Sequence, residues 1–281
     1  MLIPSSQRGF TLIELMLSLV MVLLVSGTLY RLVLSTQRLS RVQATRIAVQ
    51  SSMRGAVLVV GNELRELSAV PGGTGTENDL LSLGPTGITY RGMRGFGYTC
   101  QALGPGLLRL SRSGFTGYRD PQAGRDSVLV YAPGLRAPVD SSWIPMAITM
   151  VSTSGPCSGA LAPAITLTTT ASTVLGPVPA GAPVRVYEPM ELALYRSESQ
   201  WWLGMRSLST AEAIQPLFGP LAEDGFRLDY ADAFGRTTAA PGSVRSIQLA
   251  LKGIGGAEDA ASGVPVIEQL STRIFLRNGV H

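Results

Sequence analysis

The chain has 281 residues, enough for one large domain or two small ones, and enough to bury a sizeable core. It is 45% hydrophobic and only 15% charged, with a mean hydropathy of +0.24, yet the apolar excess is gathered in one N-terminal block, which argues against a multi-span membrane protein. The net charge of +4 comes from 23 Lys+Arg, all arginine except Lys252, set against 19 Asp+Glu, too small a surplus to name a partner.

Residues 1–9, MLIPSSQRG, are short and polar, with Arg8 the only charge and Pro4 opposed to helix. Phe10 to Tyr30 then forms an apolar run of 21 residues, a length that suits a hydrocarbon core of ~30 Å at ~1.5 Å per residue. Glu14 interrupts it, and a carboxylate at the centre of a bilayer helix costs about 2.5–3.5 kcal/mol. Something must offset that cost. The same charge opposes an ordinary secretory signal, although Val25-Ser26-Gly27 loosely satisfies a small-residue cleavage site.

Past Tyr30 the helical period continues through Leu39, Val42, Val49, Met53, Val57, Val60, Leu64 and Leu67, with Arg46 as the one polar member, until Pro71-Gly72-Gly73. The spacing predicts one helix from about residue 10 to about residue 69. Its first part, 10–30, spans a membrane; its amphipathic continuation, 31–69, docks on a folded domain. Arg31, Arg38, Arg41, Arg46, Arg54 and Arg65 read as the solvated face, with anionic lipid and nucleic acid as the alternatives. Gly27 is a weak point, since Gly costs about 1 kcal/mol relative to Ala in a helix interior.

From residue 70 to 281 the texture changes to short β-type runs between Gly and Pro turns: SVLVYA, MAITMVS, AITLTTT, PVRVYE, LALYRS, QWWLGMRS, FRLDYA, VRSIQLALKG and STRIFLRN. Several alternate apolar and polar residues, as half-exposed antiparallel strands do. YRSESQWWLG reads as a hairpin with its turn at Ser197 to Ser199, DYADAFGR as a turn, and GMRGFG (92–97) as another turn. Trp201 and Trp202 project to opposite faces of a strand, one toward the core or the helix, the other free to mark a partner contact. Cys100 and Cys157 close a loop of about 58 residues if bonded. Two buried thiols are the alternative, and the apolar N-terminus, which argues for export, favours the disulfide.

Chemistry is sparse. His281 is the only histidine, against a histidine-based triad or zinc cluster. Asp229 and Asp232 are too few oxygen donors for a calcium site, and no phosphate-binding or C-x-x-C motif occurs. No enzyme, metal or cofactor is expected.

Arg8-Gly9-Phe10-Thr11-Leu12-Ile13-Glu14, followed at once by the uncharged run, closely resembles the class III signal of type IV prepilins and type II secretion pseudopilins. The resemblance implies an α+β, lollipop-shaped pilin-like fold, with a long N-terminal α-helix packed on a β-rich antiparallel head (70–281). It implies removal of the leader 1–9 by prepilin peptidase between Gly9 and Phe10, N-methylation of Phe10, and a registry role for Glu14, whose carboxylate pairs with a neighbouring subunit's amino terminus. Partners are then other pilin or pseudopilin subunits, the peptidase and an inner-membrane assembly platform. The protein is expected in the inner membrane as a single pass, N-terminus cytoplasmic and head exported. Size and the order of C-terminal features look similar to minor pilins of the PilW type and to J-type pseudopilins of type II secretion. Arg31 stands near where many major pilins carry a helix-breaking proline, which leaves the minor role of filament priming or assembly. A reading of another class is a DNA-uptake or adhesive tip that uses the arginines and an exposed Trp.

Overall fold

The computed structural model describes residues 11–70, 78–131, 143–153, 155–157, 163–170, 177–258 and 263–277. Helix α1 (Leu12–Arg65) runs 54 residues without a break. It contains no proline. Its hydroxyls return to the helix's own carbonyls, as Ser18 does to Leu15, Thr28 to Val25 and Thr36 to Leu32 at 2.8–2.9 Å. Glu14 in its first turn and Arg65 in its last both suit the helix dipole. Gly27 does not interrupt it.

The helix stops at Arg65, short of residue 69. The next residues exchange the helical ladder for side-chain and strand-like bonds: Ser68 N–H donates to Asp79 Oδ2 at 2.8 Å and Val70 N–H to Asn78 Oδ1 at 2.7 Å. Asp79 N–H donates back to Ser68 O, and Arg277 N–H to Leu67 O. Leu67 is therefore buried, as the stripe requires, in an extended segment rather than a helical one.

The chain divides into two compact units, Met1–Val49 with Gly255–Ile267, and Gln50–Ile254 with Glu268–His281. In the first, Val42 is buried, and a side chain at Gly255 would stand 2.3 Å from Thr45 and 3.4 Å from Val49, so the strand backbone lies directly on the helix.

In the second unit, Met53, Ala56, Val60 and Leu64 of α1 are buried against an antiparallel β head. Its strands are β1 (Leu80–Leu83), β2 (Gly87–Gln101), β3 (Leu107–Ser111), β4 (Thr116–Gly117), β5 (Ser127–Tyr131), β6 (Trp143–Ser152), β7 (Ala164–Thr169), β8 (Pro183–Ser197), β9 (Gln200–Ser207) and β10 (Gln215–Ala231). β11 (Ser246–Glu258) and β12 (Pro265–Phe275) complete the order.

Pairing closes β2, β3, β7, β6, β5 and β8 into a ring. Its interior is filled by alternate residues such as Leu110, Val128, Ile144, Ile165 and Val184. A second sheet runs β1-β2-β8-β9-β10-β11-β12. β8 serves both: Val184–Tyr187 pairs with β5, Met190–Ser197 pairs with β9, and β2 covers its other edge. The changeover falls at Glu188 and Pro189, where a residue without an N–H breaks no ladder bond on the vacated side.

Two segments of the head differ from the sequence reading. GMRGFG is not a turn; β2 passes straight through it. Its glycines answer to close approach: a Cβ on Gly95 would lie 2.3 Å from the Phe115 ring, and one on Gly92 2.7 Å from Glu63 Oε1. PVRVYE and LALYRS merge into the single strand β8. The β8–β9 hairpin does form, with Ser197 opposite Gln200 and both turn residues left-handed, Glu198 at φ 48° and Ser199 at φ 68°.

Candidate assembly site

Glu14 lies in the first turn of α1, where its N–H donates to Thr11 O at 3.1 Å. Its carboxylate is exposed and has no side-chain partner among the described residues. Around and beyond it every large apolar side chain from Leu12 to Leu34 is solvent-facing, from 77% exposed at Leu12 to 36% at Leu34. A continuous apolar surface of this extent requires hydrocarbon or other apolar helices around it. The helix is long and apolar enough to cross a membrane. Gly9 and Phe10 lie outside the described residues, as does His281.

Arg31, Arg38, Arg41, Arg46, Arg54 and Arg65 are all exposed. Farther along the chain, Cys100 at the end of β2 is bonded to Cys157 with a Cα–Cα distance of 5.6 Å, which ties the ring's edge across 57 positions of sequence.

Asp232 builds a turn: its Oδ1 accepts from Phe234 N–H at 2.8 Å and Arg236 N–H at 2.9 Å, with Gly235 at φ +74°. Those bonds hold its carboxyl below the ordinary range, the Arg236 amide most and more than desolvation opposes it. Asp229 is engaged by Arg227 at 3.0 Å. The two aspartates thus have separate structural tasks. Neither Trp201 nor Trp202 is an exposed anchor; both are half-buried, Trp202 lying over Gly219, where a Cβ would come within 2.6 Å of the ring.

The sequence reading missed a cluster of charges at the changeover of β8. Glu188, with a side chain 3% exposed, accepts from Arg94 Nε at 2.9 Å, Arg119 Nη2 at 3.2 Å and Arg125 Nε at 2.5 Å. Arg94 also reaches Glu63 of α1 at 3.1 Å, Arg119 forks onto Asp126, and Arg125 meets Glu212 at 2.9 Å. Burial works against the charge on Glu188, and the hydrogen bonds from Arg94 and Arg125 overcome it, so its carboxyl titrates below the ordinary range. Helix, ring and open sheet meet at this one carboxylate. Nothing in the local sequence announces it, because its donors lie 94, 69 and 63 positions away.

The family model described as the prokaryotic N-terminal methylation motif matches residues 4–30. Comparison with curated proteins and with solved structures finds no match to the chain. The match covers about a tenth of the sequence, and it takes in Gly9, Phe10, Glu14 and the exposed apolar run together. That motif leads into one long apolar helix, whose later turns pack on an antiparallel β head, and together they support a type IV prepilin- or pseudopilin-like precursor, a type of structural subunit.

Proposed function

We propose that the chain is a minor subunit of a type IV pilus-like filament that acts in its priming or assembly. Prepilin peptidase removes residues 1–9 on the cytoplasmic side, between Gly9 and Phe10, and methylates the amino group of Phe10. The helix over 10–30 then passes from the inner membrane, at an assembly platform, into the filament core. Residues 31–69 connect it to the exported head, 70–281.

The observation that carries this reading is the unpartnered carboxylate of Glu14 on an otherwise apolar helix surface. Lipid or packed helices would leave that charge uncompensated, at several kcal/mol by the ~2.5–3.5 kcal/mol insertion scale. A neighbouring subunit's methylated ammonium offsets it and sets the axial register at the same time. Once Phe10 is the first residue, its own ammonium is four positions from Glu14 in the sequence, so the same pair of charges can be matched between chains. The disulfide supports an oxidising compartment for the head.

The test is N-terminal mass spectrometry of the protein from its native membrane, with wild type and Glu14→Ala compared. The expected chain begins at N-methylated Phe10 in both, and Glu14→Ala is missing from sheared filaments. A chain that begins at Met1, or Glu14→Ala filaments with normal subunit content, overturns the proposal. Loss of protein secretion on deletion, with surface pili intact, would transfer the same subunit to a type II secretion pseudopilus.

A further inference from the structure

Between Glu14 and Glu63 the helix carries no acidic residue and five arginines: Arg31, Arg38, Arg41, Arg46 and Arg54. Arg31 is the first charge after the apolar run. Arg31, Arg38 and Arg41 are exposed, and none has a side-chain partner among the described residues. Arg31 and Arg38 are two turns apart on one face and line, with Leu34 and Ser35, a shallow niche of about 330 Å³. Ser35 donates its hydroxyl proton to Leu32 O, so the guanidinium groups are the free donors there.

We infer that Arg31 and Arg38 bind the phosphate headgroups of anionic phospholipid at the membrane face from which the helix emerges. This rests on the reading that residues 10–30 span the membrane. Headgroups extend about 6 Å beyond the hydrocarbon on each side, which places Arg31 among them. Arg38 lies ~10 Å farther along the axis and Arg41 ~15 Å. Side chains on a helix lean toward its N-terminus, here back toward the membrane, so Arg38 reaches toward the same layer with its apolar stem along the helix. Arg41 lies nearly two Debye lengths, each about 8 Å, from the surface. Leu34, between the two arginines, adds an apolar contact that a lipid can use and a free anion cannot. The contribution of each arginine therefore falls with its distance from the membrane, an ordering that a merely solvated charge run would not produce.

The full chain and its Arg31→Gln, Arg38→Gln, Arg41→Gln and Arg65→Gln variants are reconstituted in mixed vesicles of phosphatidylcholine and phosphatidylglycerol. The lipid retained on mild extraction is identified by native mass spectrometry, and protease protection in the same vesicles reports whether the chain spans. Wild type is expected to retain phosphatidylglycerol above its bulk share. Arg31→Gln lowers that preference about fivefold, as for one charge at an anionic surface; Arg38→Gln lowers it about twofold, and Arg41→Gln and Arg65→Gln leave it unchanged. A wild-type chain that spans yet retains the bulk lipid ratio overturns this inference alone. An equal drop in all four variants also overturns it, because net charge rather than position would then be responsible. A chain that fails to span overturns the membrane reading beneath it.

Discussion

Replacing Glu188 by Gln removes the charge on which three guanidinium groups converge while keeping the shape of the side chain. Breaking a buried ion pair from one side costs about 3–5 kcal/mol. The lower end applies here, since Arg94, Arg119 and Arg125 keep Glu63, Asp126 and Glu212 as second partners, and Arg119 and Arg125 are 27% and 32% exposed. The expected loss is therefore about 3 kcal/mol. Urea unfolding of the full chain in detergent reads it out by tryptophan fluorescence, because Trp143, Trp201 and Trp202 all lie in the unit that contains the β head. Glu191→Gln, which breaks the more exposed pair with Arg206, is the control and should cost no more than about 1 kcal/mol. Equal midpoints for wild type and Glu188→Gln would refute the reasoning, and so would equal losses in the two variants.

The remaining predictions concern pH, the disulfide, one turn and two glycines. A carboxylate whose pKa is lower in the folded than in the unfolded chain stabilises above its unfolded value, about 4.3, and that increment disappears as pH falls through the folded value. The gap between wild type and Glu188→Gln should thus be full near neutrality and close in acid; a gap independent of pH would exclude Glu188 as its source. Replacing both Cys100 and Cys157 by Ser frees a loop that spans 57 positions and should cost about 4 kcal/mol, measured by the same unfolding curves without reductant. Glu198-Ser199 replaced by Asn-Gly places residues that favour left-handed angles in the β8–β9 turn and should raise stability by about 1 kcal/mol. Gly95→Ala drives a methyl group into the Phe115 ring and should cost about 1–3 kcal/mol. Gly27→Ala meets nothing within 4 Å and should raise helicity by circular dichroism.

How much of the fold was legible depended on how local its cause was. The helix was legible because Val42, Met53, Val60 and Leu64 repeat at helical spacing and no proline intervenes; all four are buried. Its end was not, because the residue that draws Ser68 out of the helix is Asp79, 11 positions on. β7 showed its alternation directly. β2 did not, because its glycines at 92, 95 and 97 look like turn residues until Phe115 and Glu63 are seen against them. A glycine chosen for turning and one chosen for close approach leave the same letter in the sequence.

The same distinction separates the two charged sites. Glu14 was legible because its anomaly is a property of one residue and its immediate neighbours: a carboxylate inside an apolar run needs a partner whatever the rest of the chain does. Glu188 was illegible because, in PVRVYEPMELALYR, a carboxylate every few residues is ordinary, and only the closure of the ring against the open sheet buries this one. The two therefore differ in where compensation comes from. Glu188 finds Arg94, Arg119 and Arg125 within its own chain, so its removal should register as lost stability of the isolated protein. Glu14 finds no partner in its own described residues, so its removal should leave the unfolding of the head in the full chain unchanged and register only when subunits meet. Measuring both substitutions by both readouts, urea unfolding and filament content, separates a charge that holds a fold together from one held ready for another chain. A Glu14→Ala variant whose head unfolded at lower urea would mean that the carboxylate has an internal task, and would remove the ground for assigning it to assembly.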